Sequence, residues 1–339
     1  MHFASDNTAP VPPEVMAALM AANDGFPSSY GADPWTARAS DLLREVLQVP
    51  QASVHLMATG TAANALALAC LCPPWGGVFC HAHAHVHEDE CGAPEFFSAG
   101  AKLLPLAGDH GRIAPGALAA GLAATGGSVH NVQKGALTLT NVTEAGTVYS
   151  VAQTAELAGL ARAAGVPVHL DGARFGNAVV ATGATPADLT WRAGVDALSF
   201  GATKLGAMGV EAVVFFDPAR AHEFELRRKR AGHLLSKGRY LGAQIVAMLE
   251  QDRWLGWAAH ANAMAAALAQ GLAARGVALA HPVQANILFP HWPAGTSARL
   301  RAAGAMFYDM PAPAGMEGAR LVTHWATTES DVARLLSLI

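Results

Sequence analysis

The sequence predicts an α/β fold: a large, mostly parallel sheet with helices on both faces, followed by a smaller α+β domain at the C-terminus. Three observations carry this. From about residue 53 to 216, short apolar runs alternate with Ala/Leu-rich helical stretches, the pattern of strand–helix–strand units. After residue 216 helical spacing takes over, and short strands return only near the C-terminus. The chain has 339 residues, too many for one small core, which favours one large domain with a smaller companion. We place the large domain at 1–245, with residues 1–25 as an N-terminal arm and helix, and the small domain at 246–339.

The elements follow in order. Val54–Met57 reads as a strand and Ala62–Leu71 as a helix. Val78–Cys80 and Lys102–Leu106 are strand-like, Pro115–Ala124 helical, and Ala136–Thr140 a strand. A helix over Ala152–Ala164 is ended by Gly165 and Pro167. Strands follow at Val168–Leu170, Ala197–Phe200 and Ala212–Phe216, with Lys204 in the loop between the last two. Helices occupy most of 218–274. Strand candidates then come at Val277–Ala280, Asn286–Phe289, Met306–Tyr308 and Leu321–Thr323, and a helix at Glu329–Leu338 closes the chain.

Composition narrows the function classes. Apolar residues make up 52% and charged residues 14%, which is richer in apolar residues than an average soluble domain. Either a membrane or an oligomer interface could account for that. The best membrane candidate, Ala261–Ala280, is interrupted by Asn262, Gln270 and Arg275, so the oligomer reading stands. Net charge is −4 and the one basic cluster, Arg227–Arg230, is too short to track a nucleic acid. Its plain reading is a solvated helix face. The four cysteines do not have the spacing of a zinc knuckle or a disulfide framework, and residues 1–6 do not resemble a signal peptide; a reducing cytoplasm fits.

Three motifs carry chemistry. Ala58-Thr59-Gly60-Thr61-Ala62-Ala63-Asn64 follows a strand and opens a helix. Backbone N–H groups, Thr hydroxyls and the helix dipole there suit a phosphate, although the same turn also reads as an ordinary Thr cap. In His169-Leu170-Asp171-Gly172-Ala173-Arg174 an apolar strand ends in an acid, at the edge where α/β sheets place ligands. That acid could hold a pyridinium N–H or simply cap a helix. In Ser199-Phe200-Gly201-Ala202-Thr203-Lys204 a strand runs into small residues and one lysine. A desolvated lysine there becomes a usable amine nucleophile. Phosphate turn, strand-end Asp and strand-end Lys in this order match fold-type I pyridoxal-phosphate enzymes.

The chain resembles the low-specificity bacterial L-threonine aldolases over nearly its whole length. The resemblance runs through Ser5-Asp6-Asn7, Tyr30–Pro34, Ala58–Asn64, His85–Ala93, Asp171–Arg174, Ser199–Lys204 and Arg320–His324. It implies pyridoxal 5'-phosphate as cofactor, the fold-type I transferase-like fold, aldol cleavage of β-hydroxy-α-amino acids to glycine and an aldehyde, and a homotetramer built as a dimer of dimers with active sites between subunits. It implies that Lys204 anchors the cofactor, Asp171 pairs with the pyridine nitrogen and His85 stacks on the ring. Gly60 and Thr61 bind the phosphate, with Arg228 from the basic cluster. Arg174 and Arg320 clamp the substrate carboxylate, assisted by Ser5. His130 and Asp89 contact the β-hydroxyl, with His130 or His85 as base, and Tyr308 walls the side-chain pocket. The chain departs from the family pattern at Asn7, over Thr140–Glu144 and at Gly232–Leu235. A β-eliminating lyase or an aminotransferase is the alternative activity.

His81, His83, His85 and His87 alternate ahead of Glu88, Asp89 and Glu90. On a strand all four would share a face, as in a metal site. No second ligand block accompanies them and the aldolase pattern uses only His85, so no metal is expected.

Overall fold

The computed structural model describes residues 1–339. Two helices, α1 (Pro13–Ala21) and α2 (Pro34–Leu47), precede the sheet. Then come β1 (Ser53–Met57), α3 (Gly60–Leu71), β2 (Gly76–His81), α4 (His85–Glu88), α5 (Ala93–Phe97), β3 (Lys102–Leu106), α6 (Pro115–Ala124), β4 (Gln133–Thr140), α7 (Val151–Ala163), β5 (Val168–Gly172), α8 (Phe175–Thr182), β6 (Ala197–Gly201) and β7 (Glu211–Phe215). Three helices follow: α9 (Ala221–Arg230), α10 (Arg239–Leu249) and α11 (Arg253–Ala273). The chain ends with β8 (Ala278–Leu279), β9 (Ile287–Leu288), β10 (Pro290–Pro293), α12 (Thr296–Ala302), β11 (Tyr308–Met310), β12 (Met316–Val322) and α13 (Glu329–Leu336).

The large sheet has seven strands in the order β1-β7-β6-β5-β4-β2-β3. β7 runs antiparallel to both β1 and β6, and every other pairing is parallel. The mostly parallel expectation therefore holds, with β7 as its exception. Both faces are buried, so successive strand residues feed different cores: Leu137, Leu198 and Val214 join one cluster, while Ala136, Ala197 and Val213 join the other. Beyond Asn64 α3 is apolar all round, and it is buried along Ala62–Leu71, as such helices must be.

The small domain has its own antiparallel sheet, β11-β12-β10-β8, with β9 paired to β12. β10 is flanked by Pro290 and Pro293, which concealed it from propensity reasoning. The arm, expected in the large domain, has its helix α1 on the large core but its first residues on the small domain. Phe3 lies in the small-domain core, donates its N–H to Met306 and accepts from Val322. α10 packs on α1 and α2, and residues 241 and 245–249 belong to the large core. α11 starts in that core at Trp254 and ends in the small one at Leu272. We propose that the domain division falls in the turn after Leu249 rather than at 245.

No helix is long and apolar enough to cross a membrane. The four cysteines are unpaired, three of them buried. The basic cluster on α9 is not one solvated face. Arg227 pairs with Glu223, Arg228 is buried, and Lys229 sits over the Tyr30 ring.

Candidate active site

Because β7 is antiparallel to both neighbours, β1 and β6 run the same way. The carboxyl ends of β1, β2, β4, β5 and β6 therefore meet along one edge, where α/β folds place ligands. The segments leaving those ends carry Gly60, His85, Glu144, Arg174 and Lys204. Close backbone approach fixes the Lys204 loop: a Cβ on Gly201 would lie 2.3 Å from the Ala173 carbonyl oxygen, so only glycine lets β6 pass the end of β5.

A cavity of about 840 Å³ opens at this edge, between the two domains. Ser5, His85, Asp89, Arg174, Lys204, Tyr308 and Arg320 all line it. These seven predicted residues come from the arm, the three loops after β2, β5 and β6, and the small-domain strands β11 and β12. His83, His110, His281 and Phe289 form part of the remaining wall, with the His110 and His281 Nδ1 atoms 3.0 Å apart.

Asp171 is buried beneath this cavity at the end of β5. One carboxylate oxygen accepts the Ala173 N–H at 3.0 Å and the other accepts Nδ2 of Asn64 at 3.1 Å. Asn64 belongs to α3, so the helix that opens at Gly60 is tied to the central acid. Thr59 caps α3, its hydroxyl accepting the Ala62 N–H. A Cβ on Gly60 would meet nothing within 4 Å, which leaves the helix N-terminus open to an anion.

The arginines differ. Arg174 is buried and donates to both carboxylate oxygens of Asp6, at 2.6 and 3.0 Å. Burial alone would lower its pKa, but the Asp6 and Glu144 charges raise it, so it stays cationic. Burial and the neighbouring Arg174 charge lower the Arg320 pKa. Two guanidinium groups repelling one another at a cavity wall form a ready receptor for a carboxylate. Burial also pushes Glu211, beneath the Lys204 loop, up to about 7; its carboxylate accepts the Ala202 N–H at 2.7 Å.

His85 is half-buried, and its Nδ1 lies 2.8 Å from Glu90. That hydrogen bond raises its pKa, against the lowering effect of burial. Only His81 of the histidine run lies on a strand, so its alternation creates no common face. His81 ends β2 and contacts the Gly108 carbonyl, His83 pairs with Glu88, and His87 reaches the Ala82 carbonyl.

Two expected residues lie elsewhere in the chain. His130 is exposed in the turn before β4, whereas the site follows the far end of that strand, about 25 Å away at strand rise. It cannot reach the cavity of its own chain. Arg228 does not line the cavity either. It is buried on α9 near His55, with its Nε unpaired. Four residues emerge that motif reasoning did not assign: Asp6, Asn64, Glu90 and Glu144. All four lie inside or beside the quoted motifs; Asp6 and Asn64 meet partners far away in sequence, Arg174 and Asp171, whereas Glu90 meets His85 close by.

The beta-eliminating lyase family model matches residues 2–292. The low specificity L-threonine aldolase of Pseudomonas aeruginosa is 42% identical over 338 residues, covering 99% of this chain and 95% of that protein. The enzyme of the same description from a Pseudomonas sp. is 42% identical over 335 residues, covering 98% and 95%. Among solved structures, Leishmania major threonine aldolase superposes with a TM-score of 0.94 at 30% identity, over 99% of this chain and 98% of that one. Sphingomonas wittichii serine palmitoyltransferase, at 18% identity and a TM-score of 0.75 over 100% of this chain and 86% of that one, shares the fold. With seven expected residues gathered at one cavity and relatives matched over nearly their whole length, the chain belongs to the beta-eliminating lyase family, among the low specificity L-threonine aldolases.

Proposed function

We propose that the protein is a lyase that cleaves L-β-hydroxy-α-amino acids to glycine and an aldehyde with pyridoxal 5'-phosphate, and runs the reverse condensation. One observation carries the reading: two arginines from different domains, Arg174 and Arg320, face the same cavity as Lys204. The residues fit the cofactor. The open N-terminus at Gly60 and Thr61 suits its phosphate, and the buried Asp171 suits a protonated ring nitrogen. The unpaired Nε of Arg228, on a helix packed against α3, suits a further anionic contact. When bound, pyridoxal phosphate supplies the electron sink that lets a bond at the amino acid α-carbon break.

The chain's own residues select the bond. Lys204, with its amine at the cavity, would hold the cofactor. Arg174 and Arg320 hold the α-carboxylate, with the Ser5 hydroxyl as an added donor, and so fix rotation about the Cα–N bond. His85 takes the β-hydroxyl proton, since an imidazole titrates near neutral pH and sits at the cavity wall with Asp89. The Cα–Cβ bond breaks, the aldehyde leaves, and a proton returned to Cα gives glycine. Tyr308 borders the substrate side chain.

We also infer a homotetramer, a dimer of dimers, in the cytoplasm. Phe26, Trp75, Phe96 and Val129 are large apolar side chains left exposed by one chain, more than a lone monomer favours. In such an assembly His130 serves a neighbouring site rather than its own.

The test is product analysis of the holoenzyme with threo and erythro β-hydroxy amino acids. Glycine plus an aldehyde is expected, with Lys204→Ala losing both turnover and visible cofactor absorbance. A keto acid with ammonia, or conversion of the cofactor to its amine form, would replace the reading with a β-eliminating lyase or an aminotransferase.

A further inference from the structure

Glu90 is a charged residue where charge is costly. Its neighbours Glu88 and Asp89 are exposed, yet Glu90 is 3% exposed and stands close to a second buried carboxylate, Asp171. Burying an acid beside another acid requires compensation from directed hydrogen bonds. Oε1 of Glu90 receives two: His85 Nδ1 at 2.8 Å and Asn64 Nδ2 at 2.9 Å. The same Asn64 nitrogen reaches Asp171 at 3.1 Å. A single amide therefore bridges the acid behind His85 and the acid assigned to the ring nitrogen. Oε2 of Glu90 and Oδ1 of Asn64 have no partner, so the arrangement is not explained by full hydrogen-bond satisfaction.

We infer that Glu90 is a positioning residue for the proposed aldol chemistry: it fixes the His85 imidazole with Nδ1–H bound to its carboxylate, leaving Nε2 as the proton acceptor, and through Asn64 it couples that orientation to Asp171. An ionised carboxylate only accepts hydrogen bonds, so Nδ1 must carry the hydrogen. A neutral imidazole then has only Nε2 free to accept a proton. This is the role of a carboxylate behind a working histidine in metal and triad sites alike. Other charges also face His85: Asp171 from β5, Lys204 from the loop after β6 and Glu144 from the loop after β4. Glu90 is the one in direct contact. The inference rests on the aldolase reading for His85 and Asp171.

The experiment compares wild type, Glu90→Gln and Glu90→Ala as holoenzymes. Glu90→Gln keeps an oxygen to accept Nδ1–H but removes the charge. Histidine ring NMR, with His85→Asn to assign the resonance, should show the His85 midpoint falling by about one pH unit or more in Glu90→Gln. The acid limb of the glycine-release profile should move the same way, with kcat down roughly tenfold and KM changed much less. Glu90→Ala should lose roughly a hundredfold in kcat while keeping the cofactor's absorbance. An unmoved His85 midpoint in Glu90→Gln overturns the inference. So do equal losses in both variants accompanied by lost cofactor, which mark a structural residue. If wild type releases no glycine, the aldolase reading fails, and the NMR midpoint still decides whether Glu90 governs His85.

Discussion

Asp6→Ala is expected to damage the substrate clamp and the fold together. Asp6 and Arg174 have 1% and 3% of their side chains exposed, and the carboxylate accepts Nε and Nη2 of Arg174 plus Nδ2 of Asn286 at 3.1 Å. Removing one partner of such a buried pair costs about 3–5 kcal/mol, because the other charge is left without compensation. A chain of 339 residues unfolds with an entropy of roughly 0.7 kcal/mol/K. Calorimetry should therefore record a fall in apparent Tm of about 4–7 °C. The freed Arg174 guanidinium also loses the anchor that aims it beside Arg320, so KM for the amino acid should rise at least about tenfold. The pH dependence has a defined sign. Burial alone would raise the Asp6 carboxyl, but Arg174 overrides it and the net direction is down. A carboxyl with a folded pKa below its unfolded value of about 3.9 stabilises fully above that value and loses its contribution as pH falls through the folded pKa. The Tm gap between wild type and Asp6→Ala should hold near neutral pH and close in acid. An unchanged Tm and KM at neutral pH would refute the reasoning, because solvent would then be compensating Arg174 freely.

Three further outcomes follow from the same geometry. Arg320→Ala should weaken amino-acid binding, read as KM, while cofactor content measured by absorbance stays intact; parallel loss of both would make Arg320 structural. His130→Ala should slow cleavage, and because His130 cannot reach its own cavity, mixed assembly with Lys204→Ala chains should restore activity in sites built from both; no recovery would remove His130 from the chemistry. Glu211→Gln should be more stable than wild type at pH 8, with the gap narrowing toward pH 5, because a carboxyl raised to about 7 gives stability below its unfolded pKa that is lost as pH rises through 7; denaturant midpoints at the two pH values would check this.

The sheet was legible because its strands are buried on both faces, which makes them short, apolar and separated by helical runs. β10 was not, since its four residues begin and end with proline. Nor was α2 assigned, although Asp33 caps it through the Thr36 N–H and Pro34 opens it. Motif residues at strand ends could be read because chain order and residue type reflect the edge they share. His130 lies before β4 rather than at the cavity, and a resemblance transfers residue roles without the place each residue takes in the fold. The buried partners were hidden for a plainer reason. Asp6 meets Arg174 and Asn64 meets Asp171 only after the sheet and the arm are assembled, and no local period encodes such pairs.

The arm explains how a clamp can span two domains. Phe3 is bonded into the small domain at Met306 and Val322, three residues before Asp6 binds Arg174 in the large one. Further along, the Pro10 carbonyl accepts the Trp325 indole N–H at 2.8 Å. The segment 3–10 is thus fastened to the small domain at both ends and to the large domain in the middle. Arg320 arrives on the small domain and Arg174 on the large, so their spacing depends on how the domains are held. The arm also sets Asp6, the partner of Arg174, next to Ser5, which lines the cavity. Any displacement of the small domain must pull on this strap and disturb both arginines together, which makes carboxylate recognition a property of the domain arrangement rather than of either arginine alone.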